Sequence, residues 1–198
     1  RNDTIYDQEP IVFHGKDHII EQLGRYQFKI NPKSFFQTNT AQAEKLYAVT
    51  KEYAQLTGSE NVFDLYTGVG SIALYISDAC KTVTGIEQIE AAIEDAKENA
   101  RLNNVGNTTF YAGDVRMLLN QDFIAKHGKA DVVITDPPRA GMHDDVVKTL
   151  LELESKRIVY VSCNPATQAR DLQLLSEKYT VSGIQPVDMF PQTTHIEN

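Results

Sequence analysis

The sequence predicts an α/β protein with a mainly parallel central sheet and helices on both faces. Three observations carry that prediction. From Asn61 onward, strand-like runs alternate with helical stretches, the pattern that crossover helices impose on parallel strands. Two of the runs, Val132-Val133-Ile134-Thr135 and Ile158-Val159-Tyr160-Val161, are short and apolar throughout, as suits strands covered on both faces. The chain has 198 residues, 41% of them hydrophobic, enough for one such domain with a full core and a small appendage.

Residues 1–34 are mixed in character and carry a strand-like piece, Tyr26 to Ile30, before a turn at Asn31-Pro32-Lys33. We read them as an appendage or the tail of an upstream domain, with the main domain spanning 35–198. Thr38 or Asn39 can cap a helix whose apolar positions, Ala43, Leu46, Tyr47, Val49 and Tyr53, recur at helical spacing. The expected strands are then 61–66, 82–87, 109–111, 131–136, 157–163 and 180–184. Long helices follow the second strand, to about Asn103, and the fifth, from Ala166 to Glu177. Ligands of such sheets bind beyond the carboxyl ends of the strands. That rule singles out residues 64–71, 87, 136–141 and 163–165.

Composition narrows the function classes. The net charge of −8 argues against a broad phosphate-binding surface on this chain. Two cysteines are too few for a disulfide framework or for a metal cluster, and point to a reducing cytoplasm. No signal peptide and no membrane-length apolar run is evident. The start at Arg1 and the stop at Asn198, just after a strand-like stretch, point to a piece of a longer protein.

The stretch "DLYTGVGSIAL" places Gly68 and Gly70 between the first main strand and its helix. Glycines there allow positive φ and close approach of a ligand to the backbone, and helix N–H groups add positive potential. Glu87 ends the next strand, where a carboxylate can take both hydroxyls of a ribose. Gly68-x-Gly70-x-x-Ala73 also satisfies the loose dinucleotide fingerprint, so a nicotinamide or flavin enzyme is a rival reading. Asp64 ahead of the glycines favours S-adenosylmethionine.

Two further motifs bear chemistry. In "TDPPRAG", Asp136 ends an apolar strand and the two prolines stop it, which pins an acid at the sheet's mouth. An aromatic residue after the prolines would mark methylation of exocyclic amines; Arg139 stands there instead. In "VYVSCNPATQARDL", Cys163 ends a strand just before a helix. The helix dipole, with Arg139 or Arg170, is expected to lower its pKa and favour the nucleophilic thiolate; Cys80 reads as a buried structural thiol. A cysteine beside a methyl donor suits uracil, because thiolate addition at C6 activates C5. A separate base must then remove the C5 proton, and the nucleobase must be flipped out to be reached.

With "SFFQTNTAQAEKLY" and "DMFPQTTHIEN" at the two ends, these motifs in this order resemble the catalytic domain of the RNA 5-methyluridine methyltransferases. The resemblance covers roughly residues 26–198. It implies a Rossmann-like class I S-adenosylmethionine (SAM)-dependent methyltransferase fold. It also implies uracil-5 methylation of ribosomal RNA, ranked ahead of transfer RNA, with S-adenosylhomocysteine as co-product. Cys163 is then the nucleophile and Glu197 the base. Gln37, Tyr66, Ser71, Glu87 and Asp136 line the cofactor pocket, joined by Asp64, Gly68, Gly70 and Asp114, and Asp136 also orients the target base. Members often carry Cys and Asn where Thr67 and Ser71 stand, so Ser71 is the weaker contact. Members commonly have an N-terminal RNA-binding barrel, and some an iron–sulfur cluster; neither is in this chain. The rivals are a cytosine-C5 or exocyclic-amine methyltransferase, a dinucleotide-binding oxidoreductase, and a domain that binds without turnover.

Overall fold

The computed structural model describes residues 10–32 and 34–198; the start of the expected appendage, and Lys33 of its turn, lie outside them. The first elements are β1 (Ile19–Leu23) and β2 (Tyr26–Ile30), an antiparallel hairpin turning at Gly24-Arg25. Its inward residues Leu23, Tyr26 and Phe28 are buried in the same apolar cluster as the main sheet. Asn99 and Asn103 of a later helix accept from the β2 backbone at Lys29 and Gln27, 2.8 Å each. Helix α1 (Thr40–Ala54) is capped by Asn39, whose side chain accepts from Gln42 N at 3.3 Å. Its buried positions are Ala43, Leu46, Tyr47, Thr50 and Ala54, while Val49 and Tyr53 are half-buried.

Five parallel strands form the centre: β3 (Asn61–Leu65), β4 (Thr82–Glu87), β5 (Thr108–Ala112), β6 (Val132–Thr135) and β7 (Arg157–Tyr160), in the order β5-β4-β3-β6-β7. The chain winds outward from β3 to β5, then returns to β6 on the other side. The strand order therefore reverses between β3 and β6, and a crevice opens at their carboxyl ends. Side-chain alternation divides the core. Val62, Val132, Ile134 and Val159 face α1, α2 (Ser71–Ile76) and α3 (Glu90–Leu102). Phe63, Leu65, Ile86 and Val133 face the other way, onto α4 (Val115–Leu118), α5 (Gln121–His127) and α6 (Asp144–Leu153), with Leu175 of α7 (Pro165–Leu175) joining them.

The expected sixth strand, Thr180 to Ile184, does not form. Its two apolar residues, Val181 and Ile184, are three apart, so no strand face can bury both. They remain 51% and 64% exposed, and Pro186 follows. The segment instead borders a groove of about 880 Å³ between α1, the open edge of β7 and α7. The fifth strand is also shorter than expected: β7 ends at Tyr160, and Cys163 lies in a bend beyond it. Among the described residues, no helix is long and apolar enough to cross a membrane.

The glycine turn rests on one ring. A Cβ built on Gly85, in β4, would lie 2.6 Å from Cδ1 of Phe110 and 2.9 Å from Cγ2 of Thr67. Gly85→Ala is expected to cost about 1–3 kcal/mol through overpacking, read as a lower urea midpoint. An unchanged midpoint would mean that Phe110 is free to move aside.

Candidate active site

The turn after β3 puts three residues in the left-handed region: Tyr66 (φ 62°), Gly68 (φ 55°) and Gly70 (φ 79°). Such a conformation is costly for tyrosine and marks a backbone held by its surroundings. Here the holding bonds run to β4. Thr67 N donates to Ile86 O at 3.0 Å, and Gly68 N to Glu87 Oε2 at 3.2 Å. Glu87 Oε1 accepts from Ile89 N at 3.0 Å, so its carboxylate is fixed by two backbone donors and keeps lone pairs on both oxygens. The space a side chain would fill at Gly68 is open. Beneath the turn, Asp64 is buried. Its Oδ2 accepts from Thr67 Oγ1 at 2.5 Å, while Oδ1 has no partner. Burial pushes the Asp64 pKa up to about 7.

The remaining expected cofactor contacts lie around that turn. Ser71 opens α2, and its hydroxyl meets the Tyr47 hydroxyl at 2.8 Å. The Tyr66 phenol is pushed up to about 12 by burial and then by the charges of Asp114, Asp171 and Glu87. Asp114 follows β5, whose end is tied to β4 by Gly113 N donating to Glu87 O at 2.8 Å. Its carboxylate caps α4, accepting from Arg116 N at 2.8 Å, and pairs with the Arg116 guanidinium at 3.1 Å. Gln37 is buried just ahead of α1.

On the other side of the crevice, Asp136 N donates to Leu65 O at 3.2 Å, which fastens the TDPP turn to the end of β3. The next loop is fastened to α7. Arg139 O accepts from Asn164 Nδ2 at 2.9 Å and from Thr167 Oγ1 at 3.1 Å. Asp171, fully buried, accepts from Met142 N at 2.8 Å and from the Tyr160 hydroxyl at 2.7 Å. Arg170 does not face Cys163 as expected. Its guanidinium pairs with Asp171 at 2.6 Å and donates to the carbonyls of Ala140 and Met142.

Backbone pairing brings the C-terminal residues to the cysteine. Ser162 and Asn198 exchange both backbone hydrogen bonds, 2.9 and 3.0 Å, and Val187 and Glu197 exchange both theirs, 2.7 and 3.0 Å. Cys163 and Glu197 are the residues that flank the Ser162–Asn198 pair, and Glu197 is near enough for its charge to act on the thiol. Cys163 is half-buried, and its pKa is raised by burial, then by Glu197 and Asp136. This corrects the expected lowering: Arg139 does oppose the rise, but two carboxyls and desolvation outweigh one guanidinium. Glu197, 9% exposed, is pushed up to about 7 by burial, again against Arg139. Burial, then Glu197 and Asp64, raise Asp136 well above the usual carboxylate range. The Arg139 guanidinium sits 3.1 Å from His195 Nδ1.

The structure thus brings Asp136, Cys163, Glu197 and Arg139 near enough to act on one another's charges, and Asp64, at the foot of the turn that carries Tyr66, Gly68 and Gly70, acts on Asp136 as well. Sequence reasoning passed over Tyr47, Asn164, Gln168, Asp171 and Asn198, all of which hold this arrangement. All five lie inside the motifs that carry the resemblance, Tyr47 and Asn198 at the ends of the first and last of them. Among the described residues, no group of three or more His, Cys, Asp or Glu side chains could hold a metal ion.

Comparison with known proteins agrees with this geometry. The family model described as tRNA (uracil-5-)-methyltransferase matches residues 9–198. An uncharacterized RNA methyltransferase of Bacteroides thetaiotaomicron is 59% identical over the whole chain, and one of Porphyromonas gingivalis is 54% identical. The chain spans 43% of the length of each. Among solved structures, the Pyrococcus abyssi tRNA (uracil-54, C5)-methyltransferase in complex with S-adenosyl-L-homocysteine superposes with a TM-score of 0.82 at 39% identity. That match covers 93% of this chain and 44% of the Pyrococcus protein. A sheet ordered β5-β4-β3-β6-β7, a glycine turn after β3 and a cysteine beyond β7 therefore have a common origin: the chain belongs to the tRNA (uracil-5-)-methyltransferase family.

Proposed function

We propose that residues 35–198 form the catalytic unit of a SAM-dependent enzyme that methylates C5 of a uridine in RNA. Cys163 is the nucleophile, Glu197 the base, and Asp136 the group that orients the nucleobase. The observation that supports this reading is the backbone pairing of Ser162 with Asn198, which brings Glu197 near Cys163. A thiol paired with a carboxyl is what C5 chemistry requires, and amine methylation has no use for it.

The residues around the turn fit S-adenosyl-L-methionine. Asp64 Oδ1 is buried without a partner, Gly68 leaves open space, and the Glu87 carboxylate is fixed with free lone pairs. Asp64, Tyr66, Gly68, Gly70, Ser71 and Glu87 would hold it, with Gln37, Asp114 and Asp136 bordering the site. When bound, it supplies an electrophilic methyl group to C5 and leaves as S-adenosyl-L-homocysteine.

The protein's own part is as follows. The Cys163 thiolate adds to C6 of the flipped-out uracil, forming a C–S bond and moving electron density to C5 and O4. Asp136, kept protonated by its raised pKa, donates a hydrogen bond to a ring carbonyl where charge develops. Once C5 carries the methyl group, Glu197 takes the remaining C5 proton. That C–H pair becomes the C5–C6 double bond, and the C–S pair returns to sulfur as thiolate. A carboxylate with a pKa near 7 is a stronger base than an ordinary one and is still largely ionised above neutral pH.

The net charge of −8 supports a grip on RNA phosphates made largely outside these 198 residues, in a cytoplasmic protein. For the RNA itself, the sequence ranked ribosomal above transfer RNA. The family model and the Pyrococcus relative both carry transfer RNA in their names, so both belong in the assay.

Full-length protein with SAM and 5-fluorouridine RNA is expected to stall as a covalent adduct at Cys163, because fluorine cannot leave as a proton. Cys163→Ala should give none. Glu197→Gln should lose turnover by about 10²–10⁴-fold yet accumulate adduct on ordinary uridine RNA. Bound RNA without any adduct would sink this reading.

The raised thiol pKa gives a second test. Iodoacetamide labelling of Cys163 is expected to climb about tenfold per pH unit from pH 7 to pH 9, since thiolate is the minor species there. Buried Cys80, raised to about 11 by desolvation, should stay unlabelled in the native protein. A labelling plateau below pH 8 would mean that the cleft lowers the Cys163 pKa instead.

A further inference from the structure

The segment that carries Glu197 is held by two isolated backbone pairs to two different neighbours, Ser162 with Asn198 and Val187 with Glu197, and neither extends into a ladder. A register slip of one residue turns every side chain to the opposite face. Pairing this sparse has little of its own to prevent that. Some other contact must fix which residue stands near Cys163.

Gln168 makes that contact. It lies on α7, in the turn after the cysteine's bend, and is 5% exposed. Its Nε2 donates to Tyr160 O, at the end of β7, at 3.1 Å, and to Asn198 O at 3.4 Å. Its Oε1 accepts from Asn198 Nδ2 at 2.6 Å. One side chain thus binds the strand leading to the nucleophile and the residue next to the base. Gln168 is positioned in turn by the helix that Asn164 caps, accepting from Ala166 N at 3.2 Å.

We propose that Gln168 is a positioning residue that locks the register of residues 197–198 against 162–163, and so serves removal of the C5 proton rather than addition of the thiolate. The proposal rests on the reaction assigned above. Proton removal needs Glu197 aimed at C5, and a misplacement of about 1 Å can cost about 100-fold in rate. Addition of the thiolate at C6 needs only Cys163, whose bend is also held by bonds between Ser162 and Asn164 that do not involve Gln168.

The test compares Gln168→Met, which keeps the volume and removes the bonds, with Asn198→Ala, which removes the partner. Full-length protein is given SAM and either 5-fluorouridine or ordinary uridine RNA. With 5-fluorouridine, where no proton can be removed, both variants should form the Cys163 adduct within about twofold of the wild-type rate. With ordinary RNA, turnover should fall about 10- to 100-fold at nearly unchanged KM, and the methylated Cys163 adduct should accumulate. The double variant should be no slower than Gln168→Met alone, because that change already removes the one bond that Asn198→Ala removes, Asn198 Nδ2 to Gln168 Oε1. The proposal is overturned if the variants turn over like wild type. It is equally overturned if adduct formation and turnover fall in parallel, since that is loss of fold. If the wild-type protein itself forms no adduct, the assigned reaction fails, and the result is distinguishable from either of these.

Discussion

Two backbone hydrogen bonds between Ser162 and Asn198 are the constraint on which the rest of the cleft depends. Cysteine and glutamate lie far apart in the chain, and no local preference brings them together. Backbone pairing does so, since the two residues flank the bonded pair and are brought near one another by it. The cost of ordering a chain segment for one glutamate is offset by the backbone bonds and by burial of Val187 and Met189 in the main core. Chemistry is thereby anchored to packing, and the base moves only if the core gives way.

The second constraint is electrostatic. Asp64, Asp136 and Glu197 crowd a half-buried thiol, with Arg139 as the guanidinium that acts on it. Each carboxyl is raised by burial, and Glu197 and Asp64 add to the rise of Asp136. The thiol is raised by the same surroundings, so the resting cleft stores protons rather than anions. This suits a reaction that needs acid and base in sequence. A protonated Asp136 can donate while Glu197, with a pKa near 7, can accept.

The fold was legible because its signals are local. Alternation of short apolar runs with helices gave the five strands, and the Gly68-Val69-Gly70 turn lies where backbone must reach positive φ. The failure at residues 180–184 was equally local: β-branched residues suggested a strand, but their spacing of three gives no common face. The site was legible in a different way. The candidates Asp64, Glu87, Asp136 and Cys163 stand at or just beyond strand ends, where parallel sheets bind ligands, and could be proposed by position. Glu197 and Gln37 could not, since a glutamate near the chain's end has no local signature, and only the resemblance supplied them. The thiol pKa was misjudged because the helix and arginines are visible in sequence, whereas the carboxyls that face the cysteine come from distant segments. Gln168 and Asp171 were missed for the same reason: their partners lie on other elements.

The division of labour follows from the switch point. The β3–β4 half fixes the turn through Glu87 and Ile86, and the β6–β7 half fixes the TDPP turn, the cysteine and the glutamate. The halves are joined at the crevice by Asp136 N donating to Leu65 O. In the proposed reaction a methyl donor on the first side meets a carbon nucleophile on the second, and the two must be closely aligned. The sheet holds the two sides in register, β3 with β6 from Val62–Val132 to Leu65–Thr135, and β6 with β7 beyond it. Loops can vary the substrate, but the distance between donor side and nucleophile side is a property of the sheet. What the sheet cannot fix is Glu197, the proposed base, which arrives on a segment outside it. That is where side-chain bonds such as those of Gln168 take over from strand pairing.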